Sequence, residues 1–178
     1  MEKETKQKKI LEKGFTLMEV LIVVAIIGIL ASIVLLNVNI AREKAKISKA
    51  KADERSIINA IILFESDTGE WPGHKETWEI QPGAADNEIC DDGCAIKFSD
   101  PEAGLVQTDG LYSNWQGPYI GESQLIDSWG NEYFFDTDYD IDSAPGLQYG
   151  VVIGSYGPNG EGLNQYDADD IFRVLNTD

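Results

Sequence analysis

From Phe15 to Leu36 the chain runs for 22 residues with a single ionisable side chain, Glu19. At 1.5 Å per residue that is about 33 Å of helix, enough to cross a hydrocarbon core of about 30 Å. A cleavable secretory signal has a shorter apolar core followed by a small-residue exit. Here Asn37-Val38-Asn39 leads straight into charge, so the apolar run is predicted to stay as an anchor. Beyond it the pattern becomes amphipathic. Ile47, Ala50, Ile57, Ile58, Ile61, Ile62 and Leu63 recur at three- and four-residue steps, while Arg42, Glu43, Lys46, Lys49, Asp53 and Glu54 take other faces. No proline precedes Pro72, so the pattern predicts one helix from about Phe15 to Phe64. Asp67-Thr68-Gly69-Glu70-Trp71-Pro72 stops it, with a Gly cap and a Pro just beyond.

Residues 73–126 are rich in Gly, Pro, Asp and Asn and lack periodicity, which predicts a long variable loop region with Trp78, Trp115 and Tyr119 as packing anchors. Tyr133-Phe134-Phe135, Leu147–Ile153 and Ile171–Leu175 are short β-rich runs between turns. The expected fold class is α+β: a long N-terminal helix, membrane-spanning then amphipathic, packed on a small C-terminal antiparallel sheet. The expected divisions are a leader over 1–14, an apolar helix over 15–39, an amphipathic half over 40–66, loops over 67–126 and the sheet over 127–178.

Charge is distributed unevenly. Five of the 14 basic residues precede Gly14 and six lie between Arg42 and Arg55; from Glu65 onward, 24 Asp and Glu face three basic residues, a net charge of −21. Such a head repels phosphate backbones, so direct nucleic-acid binding by it is not expected. Lys3, Lys6, Lys8, Lys9 and Lys13 favour a cytoplasmic leader, although Arg42, Lys44, Lys46, Lys49 and Lys51 flank the far side. Cys90 and Cys94 predict a short-range disulfide in an oxidising compartment. With one histidine, His74, in a Pro-Gly turn, paired-His metal centres and triads are poorly served, and no enzymatic activity is expected.

A carboxylate near the end of a membrane-length helix is costly and calls for a partner charge. Lys13-Gly14-Phe15-Thr16-Leu17-Met18-Glu19 resembles the class III signal sequence of type IV pilins and type II secretion pseudopilins. The resemblance implies cleavage after Gly14 by a prepilin peptidase, methylation of the new N-terminal Phe15, and pairing of Glu19 with the Phe15 α-amine of a neighbouring subunit. The subunit would leave membrane lipid to join a helical homo-polymer, with minor pilins and an inner-membrane assembly platform as further partners. Its head would lie outside the cytoplasm, in a periplasmic or cell-surface filament. Gly28, Ala25 and Ala31 would permit close helix packing there. Leu36 stands where many relatives carry a helix-breaking Pro.

The head carries further likenesses to the major pseudopilin: Asp53-x-x-Ser56-Ile57-x-Asn59-Ala60, Asp67-Thr68-Gly69-x-Trp71-Pro72, and Asp127-Ser128-Trp129-Gly130-Asn131-Glu132-Tyr133. Gly154-Ser155-Tyr156-Gly157-Pro158-Asn159-Gly160, with a distal Asp170-Ile171, is similar to that family's calcium loop. By resemblance Asn159 and Asp170 would be side-chain ligands and Tyr156 a carbonyl ligand, with Asp167 added by proximity. Asn159 replaces the usual Asp, which weakens the site while leaving an amide oxygen as a ligand for a hard cation. Asp136–Asp142 fails the spacing of an EF-hand, with Ile141 at the sixth position and Leu147 at the twelfth, and is expected to be a solvated hairpin or a looser cation site. The expected function is a filament subunit, of the major pseudopilin kind. The alternatives are a type IV pilus major or minor pilin and a membrane-tethered calcium- or ligand-binding domain that does not polymerise.

Overall fold

The computed structural model describes residues 14–75, 88–91, 93–141, 148–162 and 168–177, leaving out the side chains of Leu35, Leu36 and Thr177. The expectations for the leader, Trp78 and Asp167 lie outside these residues. The one α-helix among them, α1, is Leu17–Thr68, and the chain divides into two units at Arg42/Glu43.

In the first unit every large apolar side chain described from Phe15 to Val34 is exposed. The helix is long and apolar enough to cross a membrane. Exposure of this kind has no counterpart in an ordinary amphipathic helix, whose apolar stripe covers one face.

In the second unit α1 buries Ala50, Ile57, Ala60, Ile61 and Phe64, one stripe at helical spacing, while Ile62 and Leu63, expected to share it, are exposed. Both lie on the other side of the helix from Ile57 and Ile61. The helix also outlasts its predicted end by one turn, to Thr68. The Thr68 hydroxyl donates to the Phe64 carbonyl at 2.8 Å, and Gly69 (φ +80°) donates its N–H to the Glu65 carbonyl at 2.8 Å. Only a residue content with positive φ closes a helix this way.

Three antiparallel strands follow in the spatial order β1 (Phe134–Asp140), β2 (Tyr149–Ser155), β3 (Ile171–Thr177). Phe135 pairs with Ile153, and Ile153 with Arg173. Alternation along the strands then loads both faces. Phe135, Val151, Ile153 and Ile171 join the helix stripe in one core; Phe134, Tyr139, Val152 and Tyr156 form a second with Cys90. Phe134 stacks on Tyr156 at 4.5 Å and on Tyr139 at 5.7 Å.

The Asp136–Asp142 expectation needs correcting. Asp136, Thr137, Asp138 and Tyr139 are buried and belong to β1, which shifts register between Asp136 and Tyr139. Over Asp136–Asp140 the chain is therefore a bulged, largely buried strand and not a solvated turn; Asp142 lies outside the described residues. The bulge lets the Asp138 N–H donate to Asp136 Oδ1 at 2.7 Å, a local bond that regular pairing would not allow.

Residues 97–126 carry two short 3-10 turns, Pro101–Ala103 and Glu122–Gln124, and no strand, as a loop region should. They are nevertheless part of the core: Phe98, Leu105, Tyr112, Ile120 and Leu125 are buried. Gly104, at φ +79°, lies so close to Phe64 that an added Cβ would come within 2.5 Å of the ring. Trp115 and Tyr119 anchor the segment as expected. Trp115 Nε1 donates to the Gly104 carbonyl at 2.6 Å, and the Tyr119 hydroxyl reaches Asp67 at 3.0 Å.

Candidate functional site

The start of α1 brings together the residues expected to direct processing and assembly. Among the described residues nothing lies within 4 Å of where a Gly14 Cβ would sit, and Phe15 is 87% exposed. Thr16 caps the helix. The Glu19 N–H donates to Thr16 Oγ1 at 3.2 Å, and Glu19 Oε2 accepts from the Thr16 N–H and hydroxyl, both at 2.8 Å. This is a reciprocal capping box, which satisfies two backbone donors that a helix start leaves orphaned. Thr16 carried a readable signal, Thr-x-x-Glu before an apolar run, and its role was missed beside that of Glu19. In the lone subunit Glu19 thus holds the helix start together. In the second half of the apolar run, the Ser32 hydroxyl donates to the Gly28 carbonyl at 2.9 Å. That side-chain bond competes with the helical ladder at its most permissive residue.

The head holds three further constellations. Asp127 Oδ1 accepts the N–H groups of Trp129, Gly130 and Asn131 at 2.9, 2.8 and 2.9 Å, while Oδ2 accepts the Ser155 hydroxyl at 2.6 Å. The Ser155 oxygen accepts in turn from the Gly157 N–H at 3.1 Å. One carboxylate therefore fixes the turn before β1 and joins it to the end of β2.

The second constellation is the Cys90–Cys94 disulfide, present as expected with Cα atoms 5.4 Å apart. Ile89 beside it pairs with Phe135 across the edge of β1. Three carboxyls are buried nearby. Burial, then the charge of Asp138, pushes Glu88 up to about 7; Lys75 opposes this. Burial likewise pushes Asp136 up to about 8 against the Asp138 N–H, with Glu88 and Asp138 adding to the rise.

Glu54, buried on α1, is pushed up to about 7 by burial, against Arg173, Lys51 and Arg55. The Arg173 Nε is 3.9 Å away, beyond hydrogen-bond reach. His74 stacks on Tyr112 at 3.9 Å, with Nδ1 2.9 Å from Glu70 and Nε2 3.1 Å from Asp109. Burial lowers its pKa, but its hydrogen bonds to Glu70 and Asp109 outweigh that and raise it.

All four groups bind protons more tightly folded than unfolded, so their contributions share one sign. The stabilisation is complete below the unfolded carboxylate range near about 4. It declines as pH rises, and the share of the three carboxyls is gone once pH passes their folded values of about 7 to 8. Thermal melts of the subunit in detergent should therefore give a midpoint roughly 5 °C lower at alkaline than at mildly acidic pH. Asp136→Asn should flatten that slope; a midpoint that is constant or rises with pH would contradict the assignment.

The third constellation is the turn after β2. Of the four residues expected around a cation, Asn159, Tyr156 and Asp170 are described. The Asn159 N–H and Nδ2 donate to Asp169 Oδ2 and Oδ1 at 3.1 and 3.0 Å. Asn159 Oδ1 accepts from the Glu161 N–H at 2.8 Å. Asp170 Oδ2 accepts the Tyr139 hydroxyl at 2.9 Å. The Tyr156 ring lies in the second core, and its backbone precedes the Gly157 turn. Asp169, which sequence reasoning passed over in favour of Asp170, is thus a partner of Asn159.

Comparison with known proteins agrees with the helix start and with the head. The prokaryotic N-terminal methylation motif matches residues 11–35. The type II secretion system core protein G of Pseudomonas aeruginosa is 28% identical over 159 residues, covering 89% of this chain and 92% of the relative. Its namesake in Aeromonas hydrophila is 41% identical over 61 residues, 34% of this chain and 43% of the relative. A fimbrial protein of Neisseria meningitidis is 33% identical over 104 residues, 58% of each. No solved structure matches the chain.

Proposed function

The chain belongs to the type IV pilin and type II secretion pseudopilin family, and from that premise we propose that it is the major pseudopilin-like subunit of a type II secretion-like filament. It is a structural subunit. In the proposed sequence of events the leader stays in the cytoplasm and a prepilin peptidase cuts between Gly14 and Phe15. Phe15 is methylated, and the anchored subunit moves from lipid into a helical homo-polymer on an inner-membrane platform. Leaving lipid for a packed helix bundle changes apolar burial little, so the gain must come from close packing and from specific polar pairing. Gly28, Ala25 and Ala31 allow the first. Glu19 and the α-amine of Phe15 on a neighbouring copy supply the second.

The observation that carries the reading is the joint presence of an exposed Gly14–Phe15 junction and a carboxylate one turn into an apolar helical stretch whose large side chains, described from Phe15 to Val34, are all exposed. The long match to a core protein G favours a secretion filament, and the fimbrial match supports a pilus subunit as the second reading. Intact-mass analysis of the subunit co-expressed with a prepilin peptidase tests the processing step. The expected species begins at methylated Phe15; a chain that keeps its leader, or is cut elsewhere, would overturn it.

A further inference from the structure

The turn after β2 is held by bonds that leave a cation little to do. Gly157 and Gly160 adopt positive φ, 68° and 66°, and carry Asn159 across to residues 168–170. Carboxylate oxygens only accept, so the Asn159 atom facing Asp169 Oδ1 must be the amide nitrogen. The Glu161 N–H needs an acceptor, so the atom it meets must be the amide oxygen. Two independent partners therefore fix the amide in one orientation. In it, Asn159 presents N–H groups to the carboxylate and spends its oxygen on the backbone. A hard cation asks for the reverse, with side-chain oxygens converging on it. Gly157 also packs against the opposite segment: a Cβ there would lie 2.2 Å from the Asp169 carbonyl oxygen. The nearby Asp170 carboxylate is engaged by Tyr139 from β1. These residues do not fit a calcium cage.

We propose that the Asn159–Asp169 amide–carboxylate pair locks the turn between β2 and β3 where the resemblance implies a calcium ion, so that the head folds and persists without the metal. A carboxylate at position 159 would face Asp169 as a like charge and need a cation between them. An amide closes the same gap by donating. Calcium dependence is on this account one substitution away.

The test is a set of thermal melts of the full-length processed subunit in detergent, in EDTA and in millimolar calcium chloride; it needs no filament and is independent of the assembly reading. The wild-type midpoint should be the same in both conditions. Asn159→Asp should melt several degrees lower in EDTA and recover in calcium, since a ligand that binds only the folded state raises the midpoint. Asp169→Asn, which removes the charged acceptor without creating a like-charge contact, should melt lower than wild type equally in both. A wild-type midpoint that rises with calcium would overturn the proposal. So would an Asn159→Asp variant that matches wild type in EDTA, or an Asp169→Asn variant with no loss.

Discussion

Glu19→Ala should leave a processed, membrane-inserted subunit that forms no filaments. Removing the carboxylate strands the Phe15 α-amine in an apolar helix bundle, and breaking one half of a buried ion pair is strongly unfavourable. Filament yield should fall roughly a hundredfold, measured as sheared polymer against total processed subunit. Alanine alone is an ambiguous probe, because Glu19 also closes the capping box with Thr16. Glu19→Gln resolves this. Gln retains an acceptor for Thr16 and serves in a capping box as Glu does, but it carries no charge. If the charge pair sets assembly, Gln fails with Ala. If Gln assembles like wild type, the carboxylate acts only as a cap and the pairing is wrong.

Asp127→Ala should cost the head about 4 kcal/mol, since three backbone N–H groups and the Ser155 hydroxyl lose their common acceptor and each orphaned donor costs about 1–3 kcal/mol. The figure is below the sum because water can re-enter an opened turn. The melting midpoint should fall by roughly 10 °C or more. Asp127→Asn keeps the oxygen that serves the turn and asks only Ser155 to reverse its hydroxyl, so its loss should be about 1–2 kcal/mol. Denaturant titration measures both. If the turn and Ser155 are one unit, Ser155→Ala combined with Asp127→Ala should cost less than the two separate losses added. An alanine variant within about 1 kcal/mol of wild type would show that the Asp127 turn is not structural.

What the sequence disclosed depended on whether the pattern was periodic. Apolar periodicity located α1, and β-branched and aromatic runs located the three strands, because burial imposes those spacings. Asp136–Asp140 was misread because alternating carboxylates look solvated. They lie in a strand whose two faces are both covered, and burial pushes one of its acids, Asp136, up to about 8. The acid on the buried stripe, Glu54, was hidden for the same reason: a sequence does not reveal that a carboxyl is neutral. Ile62 and Leu63 are apolar yet exposed, because the helical period itself sets them on the other side of the helix from Ile57 and Ile61. At the candidate sites, Gly14, Phe15 and Glu19 were legible as a local motif, and Cys90–Cys94 by proximity. Thr16 was legible and missed. Asp169 against Asp170 was not legible, because adjacent identical acids point to opposite sides of an extended chain, and only the fold selects which one meets Asn159.

The central claim is that this chain polymerises through its N-terminal helix. Electron microscopy of material sheared from cells that produce the chain with a prepilin peptidase and an assembly platform tests it most directly. The account predicts thin filaments whose only major component is the subunit beginning at Phe15, lost when Glu19 is replaced by Ala. Processed subunit that remains dispersed in the membrane with that machinery present would contradict it.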